Sequence, residues 1–431
     1  MEMLSAETLS LVIFVGAYVL IATEWIHRVA VALGGAALML ALGLTDADAA
    51  FFSHETGIDW NVIFLLLGMM VIVGVIKTTG LFEAMAIYAA KRAKGRPFPL
   101  MALLMLITAV ASALLDNVTT VLLIAPVTFL VCERLGLRVT PYLIAEVLAS
   151  NTGGMGTLIG DPPNIIIGSR ADLSFNDFLI HLGPLAVIMT LVLIAMARLM
   201  FRDAFVSDPE KVAAVMALSE RDVIRNPKLL LQSLAVLAMV LVAFATHSVL
   251  HYEPSVVALL GAGLLVLISR VTVHDALADI EWETLVFFMG LFIMVGALVE
   301  TGVIGRFADW LGQQTGDNLP AAVYAILFVS FLLSGIIDNI PYVATMAPVV
   351  AALAADAPAG QGDVLWWALA IGADLGGNST AVGASANVVV IGMAARYGSP
   401  ISFWEFTKYG LVVVTVSAVV SSAWLWLRYF A

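Results

Sequence analysis

An all-α polytopic membrane protein built from two inverted repeats is the fold class that three features of this chain predict. The first is hydropathy: 61% of the 431 residues are hydrophobic and 12% are charged, with a mean hydropathy of +1.02, far from an ordinary soluble domain. The second is a short polar interruption between apolar runs that occurs twice, as Asp116-Asn117-Val118-Thr119-Thr120 and as Asp338-Asn339-Ile340-Pro341. The third is a long apolar segment in each half that is broken by clustered small and polar residues.

The composition also sets exclusions. The net charge is −12 and no basic, aromatic-interleaved patch exists, so nucleic acid is excluded as a partner. The single cysteine, Cys132, rules out an intramolecular disulfide and any multi-thiolate metal site. It reads as a buried spectator thiol. Residues 1–10 carry Glu2 and Glu7 and no Lys or Arg, so the first apolar run is expected to be a span and not a cleaved signal.

Apolar runs fall near 9–22, 29–44, 61–76, 98–115, 118–131, 142–169, 179–201, 229–246, 254–269, 284–299, 319–337, 340–355, 364–395 and 409–427. A helix needs about 20 residues to cross the hydrocarbon core. The runs flanking Asp116 and Asp338 are short and no hydrophilic loop separates them, so each pair reads either as two spans with a tight turn or as a re-entrant hairpin. Charge placement favours re-entry. With both hairpins re-entrant and the N-terminus outside, segments 23–28, 77–97, 132–141, 202–228, 270–283 and 396–408 lie inside and hold sixteen of the twenty Lys and Arg. The expected architecture is therefore about ten transmembrane helices, two re-entrant hairpins and two unwound helices, in a multi-pass protein of the bacterial inner membrane.

The internal repeat organises the chain. Ile58-Asp59-Trp60, Gly68-Met69 and Thr79-Gly80 match Ile280-Glu281-Trp282, Gly290-Leu291 and Thr301-Gly302 at an offset of 222, which also carries Asp116-Asn117 onto Asp338-Asn339. A one-residue slip then aligns Gly153-Gly154, Thr157, Gly160 and Asn164 with Gly376-Gly377, Thr380, Gly383 and Asn387. Residues 1–201 form the first repeat, with hairpin 98–131 and broken helix 142–169. Residues 229–431 form the second, with hairpin 319–355 and broken helix 364–395. Between them, 202–228, which includes Ser219-Glu220-Arg221-Asp222, is expected to be a cytoplasmic linker. Opposed first spans make the repeat inverted, an arrangement that surrounds a midplane site.

Clustered Gly and the Pro162-Pro163 pair cannot continue a helix, and unwound backbone is tolerated at membrane depth only where it is buried in protein or lines a wet cavity. Close packing through small residues is the rival reading of such glycines; Asn, Asp and Thr among them favour a site. Neither stretch is a phosphate loop, since no Lys-Ser/Thr follows the glycines. The chain is expected to be a transporter and not an enzyme, without cofactor or resident metal. Asp116 and Asp338 are the expected proton-coupling groups, because carboxylates at membrane depth are costly and exchange protons near neutral pH. Asn117, Thr119, Thr120, Asn151, Thr152, Gly153, Gly154, Asp161, Asn164, Asn339, Asp374, Gly376, Gly377, Asn378, Ser379, Thr380 and Asn387 are the expected substrate-binding set. No Arg or Lys lies at a tip or break, which favours a cation, a proton or a small neutral hydroxylated solute over an organic anion. Glu24 and Glu146 could also titrate, but both lie near span ends and are expected to be interfacial.

Leu114-Leu115-Asp116-Asn117-Val118-Thr119-Thr120, followed by Asn151-Thr152-Gly153-Gly154 and Ile159-Gly160-Asp161-Pro162-Pro163-Asn164, resembles the ArsB/NhaD group of the ion transporter superfamily, which includes the arsenical permeases and the pink-eyed dilution (P) proteins. The resemblance covers nearly the whole chain and implies the superfamily fold. Relatives coupled to sodium and dicarboxylates carry Ser-Asn-Thr at their tips; Asp116-Asn117 and Asp338-Asn339 depart from that. What it implies is proton-coupled efflux of arsenite or antimonite, or sodium/proton antiport in NhaD-like members. It also implies a homodimer in many relatives and, in some, a cytoplasmic ATPase partner. With one cysteine, arsenite would be held through oxygen. The residues leave arsenite and sodium both open.

Overall fold

The structure, a computed structural model, describes residues 5–431 apart from 24, 206–210, 213–222, 247–251, 279, 316–317 and 358–359. Glu24 and most of the expected linker, including Ser219 to Asp222, lie outside the described residues. Every regular element among those described is helical.

Each half runs through the same order of elements. The first opens with Ala6–Thr23, Arg28–Ala41 and the short Ala47–Phe52, then the long apolar Trp60–Thr78 and the surface helix Leu81–Arg92. A hairpin follows, Pro97–Leu114 and Asn117–Leu135, then a broken helix, Val139–Gly154 and Pro162–Ala171. The short Phe175–His181 leads into the closing helix Gly183–Met200. The second half repeats the order with Pro227–Ala245, Pro254–Ser269, Val273–Ala278, Trp282–Glu300 and Val303–Thr315. Its hairpin is Leu319–Ser334 with Asn339–Asp356, its broken helix Asp363–Gly376 with Ser385–Arg396, and its closing helix Phe403–Tyr429.

Among the described residues seven helices are long and apolar enough to cross a membrane, Pro97–Leu114 and Asn117–Leu135 included. Length alone would let the first hairpin cross. The tips are buried: Asp116 and Asn117 are 7% and 2% exposed, and Asn339 at the second tip is 1% exposed. Both hairpins turn back inside the protein.

The repeated glycines have separate packing reasons. Trp60–Thr78 packs on Pro254–Ser269, and its repeat partner Trp282–Glu300 packs on Arg28–Ala41, so each long helix leans on the other half. A Cβ on Gly68 would stand 2.7 Å from the Ala258 backbone carbon, and one on Gly290 would stand 2.8 Å from that of Ala32. No side chain fits, and close helix approach fixes both glycines. Gly80 and Gly302 end their helices at φ 84° and 82°, the left-handed region where a Cβ is penalised. In each half the first hairpin arm packs along the first segment of the broken helix. That contact carries the tip to the break.

Candidate functional site

The two breaks are closed in matching ways. Ser112 Oγ donates to the Ser150 carbonyl at 2.7 Å and Ser334 Oγ to that of Ala373 at 2.5 Å. Thr157 Oγ1 donates to the Ala113 carbonyl and Thr380 Oγ1 to that of Gly335, both at 2.6 Å. Asn164 Nδ2 lies 3.0 Å from the Thr157 carbonyl and 3.3 Å from that of Met155, while Asn387 Nδ2 reaches Gly377 at 2.8 Å and Thr380 at 2.9 Å. Side-chain amides thus replace the backbone N–H groups lost where the helix unwinds. Gly153 and Gly376 rest on the backbones of Ala109 and Phe331, and Gly154 and Gly377 face Gly160 and Gly383 across the breaks. Ser379 Oγ donates to the Gly376 carbonyl at 2.6 Å. Of the expected binding set, Asn164, Asn387, Ser379, Thr380 and the four glycines therefore build the frame.

Inside that frame lies a polar centre made by both halves. Asn151 is its hub: Oδ1 accepts from Asn117 Nδ2 at 3.1 Å, and Nδ2 donates to Asn378 Oδ1 and Asn387 Oδ1, each at 3.0 Å. Asp161 receives both tips, with Asn117 Nδ2 at 2.8 Å from Oδ2 and Asn339 Nδ2 at 3.3 Å from Oδ1. Asn378 Nδ2 reaches Thr152 Oγ1 at 3.5 Å, and Thr152 Oγ1 donates to the Leu148 carbonyl. Asp161 and Asp374 are wholly buried, and the charges of Asp374, Asp338 and Asp116 all bear on Asp161. Neither oxygen of Asp374 has a hydrogen-bond partner in the protein. The nearby Asn164 amide is committed to carbonyls of the break.

The carboxylates break the repeat. At the offset of 223 that joins Gly153 to Gly376, Asp374 falls on Asn151 and Asp161 falls on Ala384. Asp161 and Ala384 nevertheless share extended backbone, φ −141° and −146°, before their half-helices. The fold supplies equal positions, and the sequence places one carboxylate from each half.

Asp116 and Asp338 sit differently. Asp116 Oδ1 accepts from the Thr119 backbone N–H at 2.8 Å and Asp338 Oδ1 from that of Ile340 at 3.0 Å, so each is the N-cap of its arm. Asp338 Oδ2 also accepts from Ser385 Oγ at 2.5 Å, and Arg28 Nη1 donates to that hydroxyl at 2.8 Å. The expectation of a site without cations is corrected here: the fold brings Arg28, from the start of a helix remote in sequence, to the second tip. A cavity of about 390 Å³ lies there, lined by His27, Arg28, Asp338, Ser385 and apolar side chains. Another of about 280 Å³, lined by His54, Asn61, Asp172 and Glu253, borders Ile165 and Gly168 of the first broken helix. Glu146, expected at the interface, is 3% exposed; it corrects the assumption that nearness to a helix end means exposure.

Two halves with matched hairpin tips and broken helices meeting at a buried polar centre have the architecture of a polytopic membrane transporter. The chain matches the family model described as citrate transporter, CitMHS, over residues 18–372, and it belongs to that family. It is 57% identical over 426 residues to a protein of Mycobacterium tuberculosis named as an uncharacterized transporter, covering 98% of this chain and 99% of that one. The P protein of Homo sapiens is 32% identical over 503 residues, covering 97% of this chain and 59% of that protein. Among solved structures, the Alcanivorax borkumensis YdaH transporter shares the fold, with a TM-score of 0.59, 14% identity and coverage of 94% of this chain and 98% of that one. The protein is thus a multi-pass membrane transporter and not an enzyme.

Proposed function

We propose that this transporter exchanges protons for a small cation, sodium first, at the pair Asp161 and Asp374. One observation carries the reading: Asn117 Oδ1, Thr120 Oγ1, Asn164 Oδ1 and both oxygens of Asp374 are buried oxygens without a hydrogen-bond partner in the protein. Each such acceptor costs roughly 1–3 kcal/mol. A hard cation takes carboxylate, amide and carbonyl oxygens as ligands, and protons on the carboxyls relieve the same groups. Two carboxylates that hold either species, and not both, give exchange. The proton-coupling role expected of Asp116 and Asp338 moves inward in this reading, because each tip carboxylate is engaged as a helix cap. A citrate-like anion would set further acceptors against those already unpartnered, so the substrate in the family's description is not the one proposed for this centre.

Arsenite or antimonite is the second reading. A neutral trihydroxide brings O–H donors to the same acceptors, and the one thiol, Cys132, is buried away in the helix Asn117–Leu135. The test uses everted membrane vesicles with an imposed proton gradient, following labelled sodium, arsenite and citrate in parallel. Sodium accumulation that collapses with the gradient is expected. Gradient-driven arsenite accumulation without a sodium signal would replace the first reading by the second, and citrate accumulation alone would reject both.

A further inference from the structure

Glu146 is a buried carboxyl with no part in the exchange at Asp161 and Asp374. Glu146 lies in Val139–Gly154, with Oε1 accepting from Thr128 Oγ1 at 2.6 Å and Oε2 without any partner in the protein. It belongs to a polar seam between two helices. On Asn117–Leu135 the residues Asn117, Thr120, Thr128 and Cys132 recur at helical spacing on one face, and on Val139–Gly154 so do Tyr142, Glu146 and Ser150. Ser150 Oγ donates to the Asn117 carbonyl at 3.1 Å, tying the seam to the centre, and Tyr142 Oη donates to the Pro97 carbonyl at 3.0 Å near its other end. At about 1.5 Å per residue, Glu146 stands about 6 Å along the helix from Ser150 and about 10 Å from Val139.

The second half shows that the fold does not need this seam. The repeat counterparts of Thr128, Cys132, Tyr142 and Glu146 are Val350, Ala354, Leu365 and Leu369, all apolar. A polar line present in one half only, and ending at the segment 132–141 that the charge rule places inside, has a directional use. Resting on the exchange reading, we propose that Glu146 is a second proton-binding site. It takes a proton at Oε2 from the side of 132–141 and gives it up toward Asp161 and Asp374, returning to carboxylate. Buried carboxyls in such lines are the usual proton relays of membrane transporters.

Two titratable groups face it, Cys132 and Tyr142; the remaining charges on the helices packed around Val139–Gly154 lie at helix ends or at the centre. Pro97–Leu114 carries no titratable side chain. Asn117–Leu135 brings Cys132, with Glu133 and Arg134 exposed at its end. Gly183–Met200 has Arg198, exposed and over the Phe98 ring. Ser385–Arg396 has only Arg396, exposed at its end, and Asp363–Gly376 has Asp363 at its start and Asp374 at the centre. Tyr142 shares the helix, and Arg138 is exposed at its start.

The experiment compares wild type, Glu146→Gln and Thr128→Val in liposomes. Infrared difference spectra across a pH titration read the carboxyl directly, and transport is followed as sodium-for-proton and as sodium-for-sodium exchange. Glu146→Gln is expected to remove one pH-dependent carboxyl band and to slow sodium-for-proton exchange at least about tenfold, with sodium-for-sodium exchange retained. Thr128→Val, which deletes the hydrogen bond to Oε1, is expected to shift that band without removing it. An unchanged set of bands in Glu146→Gln overturns the proposal, and so does an equal fall in both exchange modes. If wild type moves no sodium in either mode, the exchange reading fails while the spectra still decide whether Glu146 binds a proton.

Discussion

Asp161→Asn is expected to abolish sodium-for-proton exchange, lowering gradient-driven transport by at least about a hundredfold, with the protein still inserted and folded. The substitution removes the charge that both hairpin tips converge on, with Asn117 and Asn339 donating to its two oxygens. The replacing amide keeps one acceptor and turns an NH2 against one of those donors. That mismatch costs about 1–3 kcal/mol, a local penalty. Asp116→Asn is the comparison, because Asn caps a helix as well as Asp does. It is expected to keep exchange within about tenfold of wild type. A dead Asp116→Asn beside an active Asp161→Asn would return the coupling role to the hairpin tips.

The second large effect is on stability. Asn151→Ala deletes the amide that accepts from the first tip and donates to Asn378 and Asn387 of the second half. Asn378 Oδ1 and Asn387 Oδ1 are left without a donor, while Asn117 Nδ2 keeps Asp161, so at about 1–3 kcal/mol for each stranded acceptor the loss is roughly 2–6 kcal/mol. The thermal midpoint in detergent should fall by several degrees or more, and transport with it. Cys132→Ser, which changes one buried atom in the neighbouring hairpin arm, is the control for non-specific damage. A midpoint for Asn151→Ala equal to that of the control would mean the two halves are not joined through this amide.

Much of this architecture was legible in the sequence because burial in a membrane leaves few ways to carry polar residues. Asp116-Asn117 and Asp338-Asn339 stood out against apolar flanks, and the Gly pairs kept step at a constant offset, so tips and breaks could be placed. The allocation of roles was not legible. Asp116 and Asp161 occupy equally polar motifs, and only the turn of the backbone decides that one side chain folds back to cap Asn117–Leu135 while the other faces both tips. Asn164 and Asn387 read as ligands, and no sequence signal says that their NH2 groups also donate to carbonyls at the breaks, a use that appears only once the unwound backbone has a shape. Arg28 gave no signal, since nothing near it in sequence says which tip it meets. Distance from the helix start puts Glu146 at the interface; the helices packed around Val139–Gly154 bury it sideways, and axial position says nothing about that.

In the proposed exchange, sodium and protons compete for the Asp161 and Asp374 pair. The most direct measurement of this competition is proton release on sodium binding, read by a pH-indicator dye as sodium is titrated into the purified, weakly buffered protein near neutral pH. Release of roughly one or two protons per chain is expected, lost in Asp161→Asn and in Asp374→Asn. Sodium binding with no proton release, or release that survives in both variants, would contradict it.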